Sequence, residues 1–250
     1  MKIIYVDEVG YASIFGPLLT CAVAIDANEF KIDGIKDSKK LTKKKREELY
    51  PLIEKNYEHA FGSASPRLIE KLNIHWARYE AMKKAVEKLV KRGVKAKEVI
   101  VDGKFEIPNL SLSQQAVIKA DDKYWQVGAA SILAKVKRDN ALTELTKIEK
   151  YSHYDLQNNA GYYTPKHRDG VILCGPTDLH RRNFNYFKYC LFCHNQYKEF
   201  LRQGKTFRDY DLWAQAEAKR EGKTVYTAWR DGVFDTWKEI PYGRNNEVTT

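Results

Sequence analysis

Short β-branched runs near the N-terminus give way to apolar positions spaced at three and four, so the chain predicts strands alternating with helices. Lys2-Ile-Ile-Tyr-Val6 and Leu18 to Ile25 predict two consecutive strands of one sheet, parted by the breakers Gly10 and Gly16-Pro17. Leu49, Leu52 and Ile53 have helical spacing, with Pro51 expected to kink or spoil that helix. Trp76, Tyr79, Met82, Ala85, Val86, Leu89 and Val90 predict an amphipathic helix ending near Gly93. Val99 to Val101 and Ala116 to Ile118 predict two more short strands, each running into acids: Asp102 after the first, Asp121 and Asp122 after the second. The stretch from Gln126 to Glu149 keeps helical periodicity throughout and is expected to be the longest helix. Strand, strand, helix, strand, strand, helix is an α/β plan, an open sheet flanked by helices. Past about Asn185 the pattern turns aromatic and charged, which predicts a mainly helical extension over 185–250 after a first domain at 1–184.

Charge narrows the function classes. The 250 residues carry +10 at pH 7, most of it before Arg182, and six of the eight residues from Lys39 to Arg46 are basic. An excess of this kind favours a polyanionic partner, with nucleic acid foremost. No apolar run approaches the ~20 residues needed to cross a bilayer, and the N-terminus enters a strand without a leader pattern, so a cytoplasmic protein without membrane contact is expected, acting as a monomer. Four cysteines are too few for a disulfide scaffold. Cys190-Leu-Phe-Cys193-His194 matches a haem-attachment pattern and half a zinc site, but no second pair of ligands accompanies it, and packed thiols are the expected reading.

Carboxylates at the ends of several strands of one open sheet gather where such sheets bind ligands. That geometry selects Asp7, Glu8, Asp102 and either Asp121 or Asp122. Neighbours on a strand face opposite ways, so Asp7 and Glu8 share a site only if the strand ends there, as Gly10 permits. An all-oxygen ligand set without a His or Cys cluster points to Mg²⁺ or Mn²⁺ rather than zinc. Two such ions about 4 Å apart would clamp the attacking and leaving oxygens of a phosphodiester. Solvated strand-end acids are the alternative.

Ordered blocks carry a resemblance. Ile4 to Val9 with Gly16-Pro17, Lys36-Asp-Ser-Lys-Lys-Leu41, Asn73-Ile74, Val101-Asp-Gly103, Lys119-Ala-Asp121, Ala129 to Val136 with Arg138-Asp139, Gly161-Tyr162, and Gly175-Pro176 with His180-Arg181-Arg182 follow one another as in ribonuclease HII. Over residues 1 to about 184 the chain resembles that family. The resemblance implies an RNase H-like fold and metal-dependent hydrolysis of the RNA strand of RNA/DNA hybrids, or of duplex DNA containing ribonucleotides, leaving 5′-phosphate and 3′-hydroxyl ends. It places the catalytic, metal-binding quartet on Asp7, Glu8, Asp102 and Asp121, with Asp122 and Asp139 beside it. It assigns phosphate contacts to Ser38, Lys39 and Lys40, junction stacking to Tyr162, and a phosphate contact to at least one of Arg181 and Arg182, with His180 either in that cluster or structural.

One element departs from the pattern. The Gly-Arg-Gly of the family's substrate loop is Gly10-Tyr11-Ala12 here, which removes a positive charge and adds a side chain where backbone groups read the 2′-hydroxyl. The expectation is a ribonuclease with altered junction specificity; the rivals are a structure-selective DNA nuclease on the same scaffold and a nucleic-acid-binding protein that no longer cuts. In the extension, Trp213, Trp229 and Trp237 either stack on nucleic acid or pack back on the core.

Overall fold

A computed structural model describes residues 1–26 and 28–232. Five strands, β1 (Lys2–Val9), β2 (Leu18–Ile25), β3 (Glu58–Ala64), β4 (Ala96–Asp102) and β5 (Gln114–Val117), form one mixed sheet in the order β3-β2-β1-β4-β5. The β1–β2 and β2–β3 pairs are antiparallel; β1–β4 and β4–β5 are parallel. The chain therefore crosses over between β1 and β4, and their carboxyl ends lie side by side at the centre of the sheet.

Alternation along the strands buries both faces. Tyr5, Cys21, Val23 and Ile100 pack beneath α4 (Trp125–Leu145) and α1 (Lys43–Asn56), through Ala129, Ile132, Leu133, Leu49 and Ile53. Ile4, Val6, Ala22, Val99 and Val101 pack against α2 (Pro66–Lys91), through Tyr79, Met82, Ala85, Val86 and Leu89. Helices on both faces of a largely parallel centre complete the expected α/β layering.

Three elements differ from the sequence expectations. Strand β3 was not expected, because Glu-His-Ala-Phe-Gly-Ser-Ala has no β-branched residue; pairing with β2 along its whole length makes it a strand. Its Gly62 is required by α2, since a Cβ there would lie 1.9 Å from the carbonyl oxygen of Ala81. Pro51 does not break α1, which runs through it; the proline is exposed, where water can serve the carbonyl it leaves unpaired. Finally, α2 spans more residues than α4, but it is broken at Asn73 (φ 62°, ψ 166°), so α4 remains the longest uninterrupted helix, ending at Leu145 rather than Glu149. The Asn73 side chain accepts hydrogen bonds from the backbone N–H groups of His75 and Trp76 and so caps the second half of α2.

After α3 (Ala120–Lys123) and α4 come the single turns α5 (Glu149–Ser152) and α6 (Leu156–Asn159), then α7 (Pro165–Cys174), α8 (Asn185–Arg202), α9 (Phe207–Arg220) and α10 (Val225–Arg230). The region after 184 is helical through its described part. Helix α8 begins at Asn185, but its Phe187 and Cys190 are buried with Ile14, Phe15 and Val171 of the preceding region. Trp213 packs on Phe200 and Tyr210, and Trp229 on Tyr189 and Tyr226, so both pack within the extension; Trp237 lies outside the described residues. Cys190 and Cys193 are fully buried among aromatic rings, and no metal-ligating cluster forms around them among the described residues.

Candidate active site

Register builds the acid cluster. On β1, Asp7 faces α4 and Glu8 faces α2; the parallel pairing Val6↔Val101 sets Asp102, the last residue of β4, beside Asp7. The strand is near its end, at Val9, and the Glu8 backbone N–H donates to Asp7 Oδ1 at 2.7 Å, so the two neighbours converge instead of parting. One carboxylate oxygen from each of Asp7, Glu8 and Asp102 lies within 4.8 Å of the others. Asp102 Oδ1 also accepts from the Ala120 backbone N–H at 2.8 Å, and Lys119 turns the chain there in a left-handed conformation (φ 55°). This turn sets Asp121 and Asp122 in α3; Asp121 stands outside the trio of oxygens but within reach of the charge on Asp102.

Burial and mutual repulsion raise the acids of the cluster. Burial, then the charges of Glu8 and Asp102, push the Asp7 carboxyl well above the usual carboxylate range. Burial raises Glu8 as well, with Asp102 adding to it and Arg78 opposing. Glu8 Oε2 is buried with no hydrogen-bond partner. A hard divalent cation would relieve the crowding and supply that partner at once, and an all-oxygen donor set suits Mg²⁺ or Mn²⁺. Asp7, Glu8 and Asp102 fit such an ion, with Asp121 adjacent.

Beside the acids lies a cationic turn. Residues Ser38–Lys40 form a 3₁₀ turn capped by the Asp37 side chain, which accepts from the Lys39 N–H at 3.0 Å. Lys39 Nζ is 3.9 Å from Asp121, and Lys40 is hydrogen-bonded to Asp122; both ammonium groups are exposed. Burial of its stem works against the Lys39 charge, yet Asp37, Asp7, Asp121 and Asp102 together hold it above its ordinary value. Ser38 points the other way, into the fold. Its hydroxyl is buried and shares a 2.8 Å hydrogen bond with Ser131 of α4, so it fixes the lysine turn to the core and is not presented to a phosphate.

The loop that begins Gly10-Tyr11-Ala12 rests on two buried arginines. Gly10 has φ +82°, and a Cβ there would lie 2.4 Å from Arg138 Nε. Arg138, 2% exposed, donates to the carbonyls of Pro17 (3.0 Å), Ala160 (2.7 Å) and Phe15 (3.0 Å) and to the Ser13 hydroxyl (2.8 Å). Arg181 turns inward. It is fully buried and donates to the carbonyls of Gly16 (2.9 Å), Gly10 (2.7 Å) and Tyr11 (3.1 Å), so its donors hold the loop from inside and none reaches a phosphate. Burial, then the neighbouring Arg138, lowers its pKa to about 9. Arg182 is exposed, with its backbone N–H on Glu70. Tyr11 and Ala12 are exposed, and the Tyr11 ring lies beside Arg78, 5.7 Å from its guanidinium carbon.

Tyr162 is held by a chain of neutral imidazoles. The Thr177 N–H donates to His180 Nδ1 (3.0 Å), which leaves the His180 proton on Nε2, 3.3 Å from His167 Nε2; His167 Nδ1 then donates to the Tyr162 carbonyl (3.0 Å). His180 is therefore structural. Lys135 Nζ stands 5.9 Å from the Tyr162 ring centre and is paired with Asp139 at 2.9 Å, so Asp139 is linked to Tyr162 through this lysine. Burial lowers His167 to about 4, and burial together with His167 lowers His180 to about 2. A depressed imidazole gives stability that is complete above its unfolded value of about 6.5 and lost as pH falls towards the folded value. Lowering pH from 7 to 5 is expected to remove roughly 2 kcal/mol for each ring, about 4 kcal/mol for the pair. The acid cluster acts in the opposite sense, so the check is the difference in Tm against pH between wild type and His180→Gln, whose slope should be shallower on the acid side.

Sequence reasoning missed Arg78 and Ser131. Ser131 hydrogen-bonds Asp7 as well as Ser38. Arg78 reaches the acid cluster from α2, and the signal was present: it stands four residues before Met82 and seven before Ala85, on the helix stripe that faces the sheet, where an apolar residue belongs.

Comparisons agree with this geometry. The crystal structure of the ribonuclease H2 from Pyrococcus horikoshii OT3 superposes with a TM-score of 0.63 at 24% identity, covering 78% of this chain and 100% of that one. The crystal structure of Bst-RNase HIII in complex with Mn²⁺ superposes with a TM-score of 0.65 at 18% identity, covering 78% and 71%. The fold is thus that of the RNase H class, and its acids stand at the carboxyl ends of the central strands. In sequence, ribonuclease HII of Borrelia hermsii is 43% identical over 182 residues, spanning 72% of this chain and 97% of its own. The sequence model of ribonuclease HII matches residues 4–190, and the chain belongs to this family of ribonuclease H enzymes.

Proposed function

We propose that this enzyme hydrolyses the RNA strand of RNA/DNA hybrids at the Asp7, Glu8, Asp102 and Asp121 site, and that its preference at RNA–DNA junctions differs from that implied by a Gly-Arg-Gly loop. The observation that carries the reading is the convergence of three carboxylates within 4.8 Å, one with a buried unpartnered oxygen, beside the exposed Lys39 and Lys40. Asp7, Glu8 and Asp102 would hold Mg²⁺ or Mn²⁺, with Asp121 completing a two-ion site. Such ions supply charge neutralisation at the phosphate, activation of a water and stabilisation of the leaving 3′-oxygen, so the product ends are 5′-phosphate and 3′-hydroxyl. The chain's own groups position the strand: Lys39 and Lys40 offer point charges to the backbone, and Tyr162 offers a ring for stacking on a sugar. Tyr11 and Ala12 stand exposed where the loop would meet the 2′-hydroxyl, and a side chain at 12 restricts that approach.

Cleavage of three labelled duplexes with Mg²⁺ or Mn²⁺ tests the reading: continuous hybrid, DNA with one embedded ribonucleotide, and all DNA. Cutting of the hybrid with poor cutting of the single-ribonucleotide duplex is the expected result. Equal cutting of both RNA-containing duplexes would remove the altered preference; absence of metal-dependent cutting of any RNA-containing duplex would overturn the assignment.

A further inference from the structure

Arg78 lies beside the acid cluster with most of its donors unspent. Its Nη1 is 3.5 Å from Glu8 Oε1, a long contact; Nη2 donates to the Tyr79 hydroxyl at 2.9 Å; Nε is buried with no partner. A Cβ on Gly103, the residue after Asp102, would lie 2.9 Å from Nη2, so the guanidinium is seated against the backbone next to the acids. Its side chain is 12% exposed, and the exposed Tyr11 ring lies beside it, 5.7 Å from its guanidinium carbon. A guanidinium has five N–H donors in a fixed fork, matched to carboxylate or phosphate oxygens. Here one good hydrogen bond is made, to its neighbour along the helix, while a cation is kept beside carboxylates that a divalent ion would otherwise neutralise. The loop opposite, Gly10-Tyr11-Ala12, has no cation of its own.

We infer that Arg78 is a substrate-positioning residue: it receives a backbone phosphate of the nucleic acid next to the scissile bond, exchanging its long contact with Glu8 for phosphate oxygens and supplying from helix α2 the positive charge absent from the loop. This rests on the proposed phosphodiester-cleaving function. With a cation held on Glu8, like-charge repulsion favours moving the guanidinium outward to the phosphate, and the Tyr11 ring provides a face along which it can rest.

The test separates positioning from scaffolding. In an Asp102→Asn background, expected to bind without cutting, affinity for hybrid and for all-DNA duplex is measured across salt concentrations with and without Arg78→Ala. The expected result is roughly a tenfold or greater weakening and a slope of log affinity against log salt shallower by about 1, as one phosphate contact is lost. Arg78→Lys should restore the slope but only part of the affinity, since it returns the charge without the fork. Separately, Mn²⁺ affinity of Arg78→Ala with all acids intact, read from the electron paramagnetic resonance of free Mn²⁺, should equal or exceed that of wild type. Unchanged duplex affinity and salt slope, or weaker Mn²⁺ binding, would show that Arg78 only props up the acids. If the Asp102→Asn parent binds no duplex at all, the proposed function and this inference fail together; if the parent binds and Arg78→Ala binds equally, only the inference fails.

Discussion

Replacing Asp102 with asparagine should reduce metal-dependent cleavage at least about 1,000-fold and at the same time make the metal-free protein more stable. The first effect follows from removing one of three oxygens that converge within 4.8 Å, so that an ion loses a charged ligand. The second follows from the same crowding. Asp7 and Glu8 are raised by burial and by the Asp102 charge, and an acid raised in the folded state holds its proton more tightly there than in the unfolded chain. Stability from such acids is therefore highest near their unfolded values of about 4 and falls as pH rises through the folded ones. Asparagine removes one charge, keeps an oxygen for the Ala120 N–H, and at pH 7 should raise Tm without metal by roughly 2–4 °C, the equivalent of about 1 kcal/mol for a chain of this size. Adding Mg²⁺ or Mn²⁺ should raise the wild-type Tm and move the variant much less. Thermal scans with and without metal, alongside hybrid cleavage, read all of this. A variant with wild-type activity would remove Asp102 from the site.

Arg138→Met is expected to be the most damaging single change away from the acids. The guanidinium, itself buried, serves three carbonyls and a hydroxyl from two separate segments, the loop 13–17 and the turn at Ala160, and ties both to α4. Methionine fills much of the volume but removes four hydrogen bonds at once, leaving the Phe15 carbonyl only the one from the Ser13 hydroxyl, at a cost of roughly 3–5 kcal/mol. Urea unfolding should show that loss in the midpoint, and the Tm should fall by ~10 °C or more. Arg138→Lys should recover little, because an ammonium cannot span the same fork. Activity per folded molecule should fall too, since the loop from Gly10 to Pro17 loses its internal support. A Tm within two or three degrees of wild type would contradict this account.

What the sequence made legible, and what it hid, divides along physical lines. The strands β1, β2 and β4 and the helix from Trp76 onward were visible because their cores are periodic, and the acids were visible because they close strands. Strand β3 was hidden because its strand character lies in its pairing with β2 and in the room Gly62 makes for α2, neither of which is local. The burial of Arg181 and Ser38 was not legible, because a polar residue in a motif reads as exposed; here the carbonyls of a tight loop, and a serine on α4, draw them inward. Arg78 was hidden by the opposite error, since a charged residue on an otherwise apolar stripe reads as noise until the stripe is seen to end at the acids.

The contact between Gly10 and Arg138 has a bearing on how this enzyme can change. Backbone at position 10 is locked by a neighbour that cannot retreat, and Gly16 and Gly161 press on the same knot, so these three positions tolerate no new side chain. Tyr11 and Ala12 project outward from that fixed frame and carry no such restraint. Diversification, natural or in a randomised library, is therefore channelled into two adjacent letters of the chain, which can be exchanged to retune what duplex is accepted while the frame beneath them stays as it is.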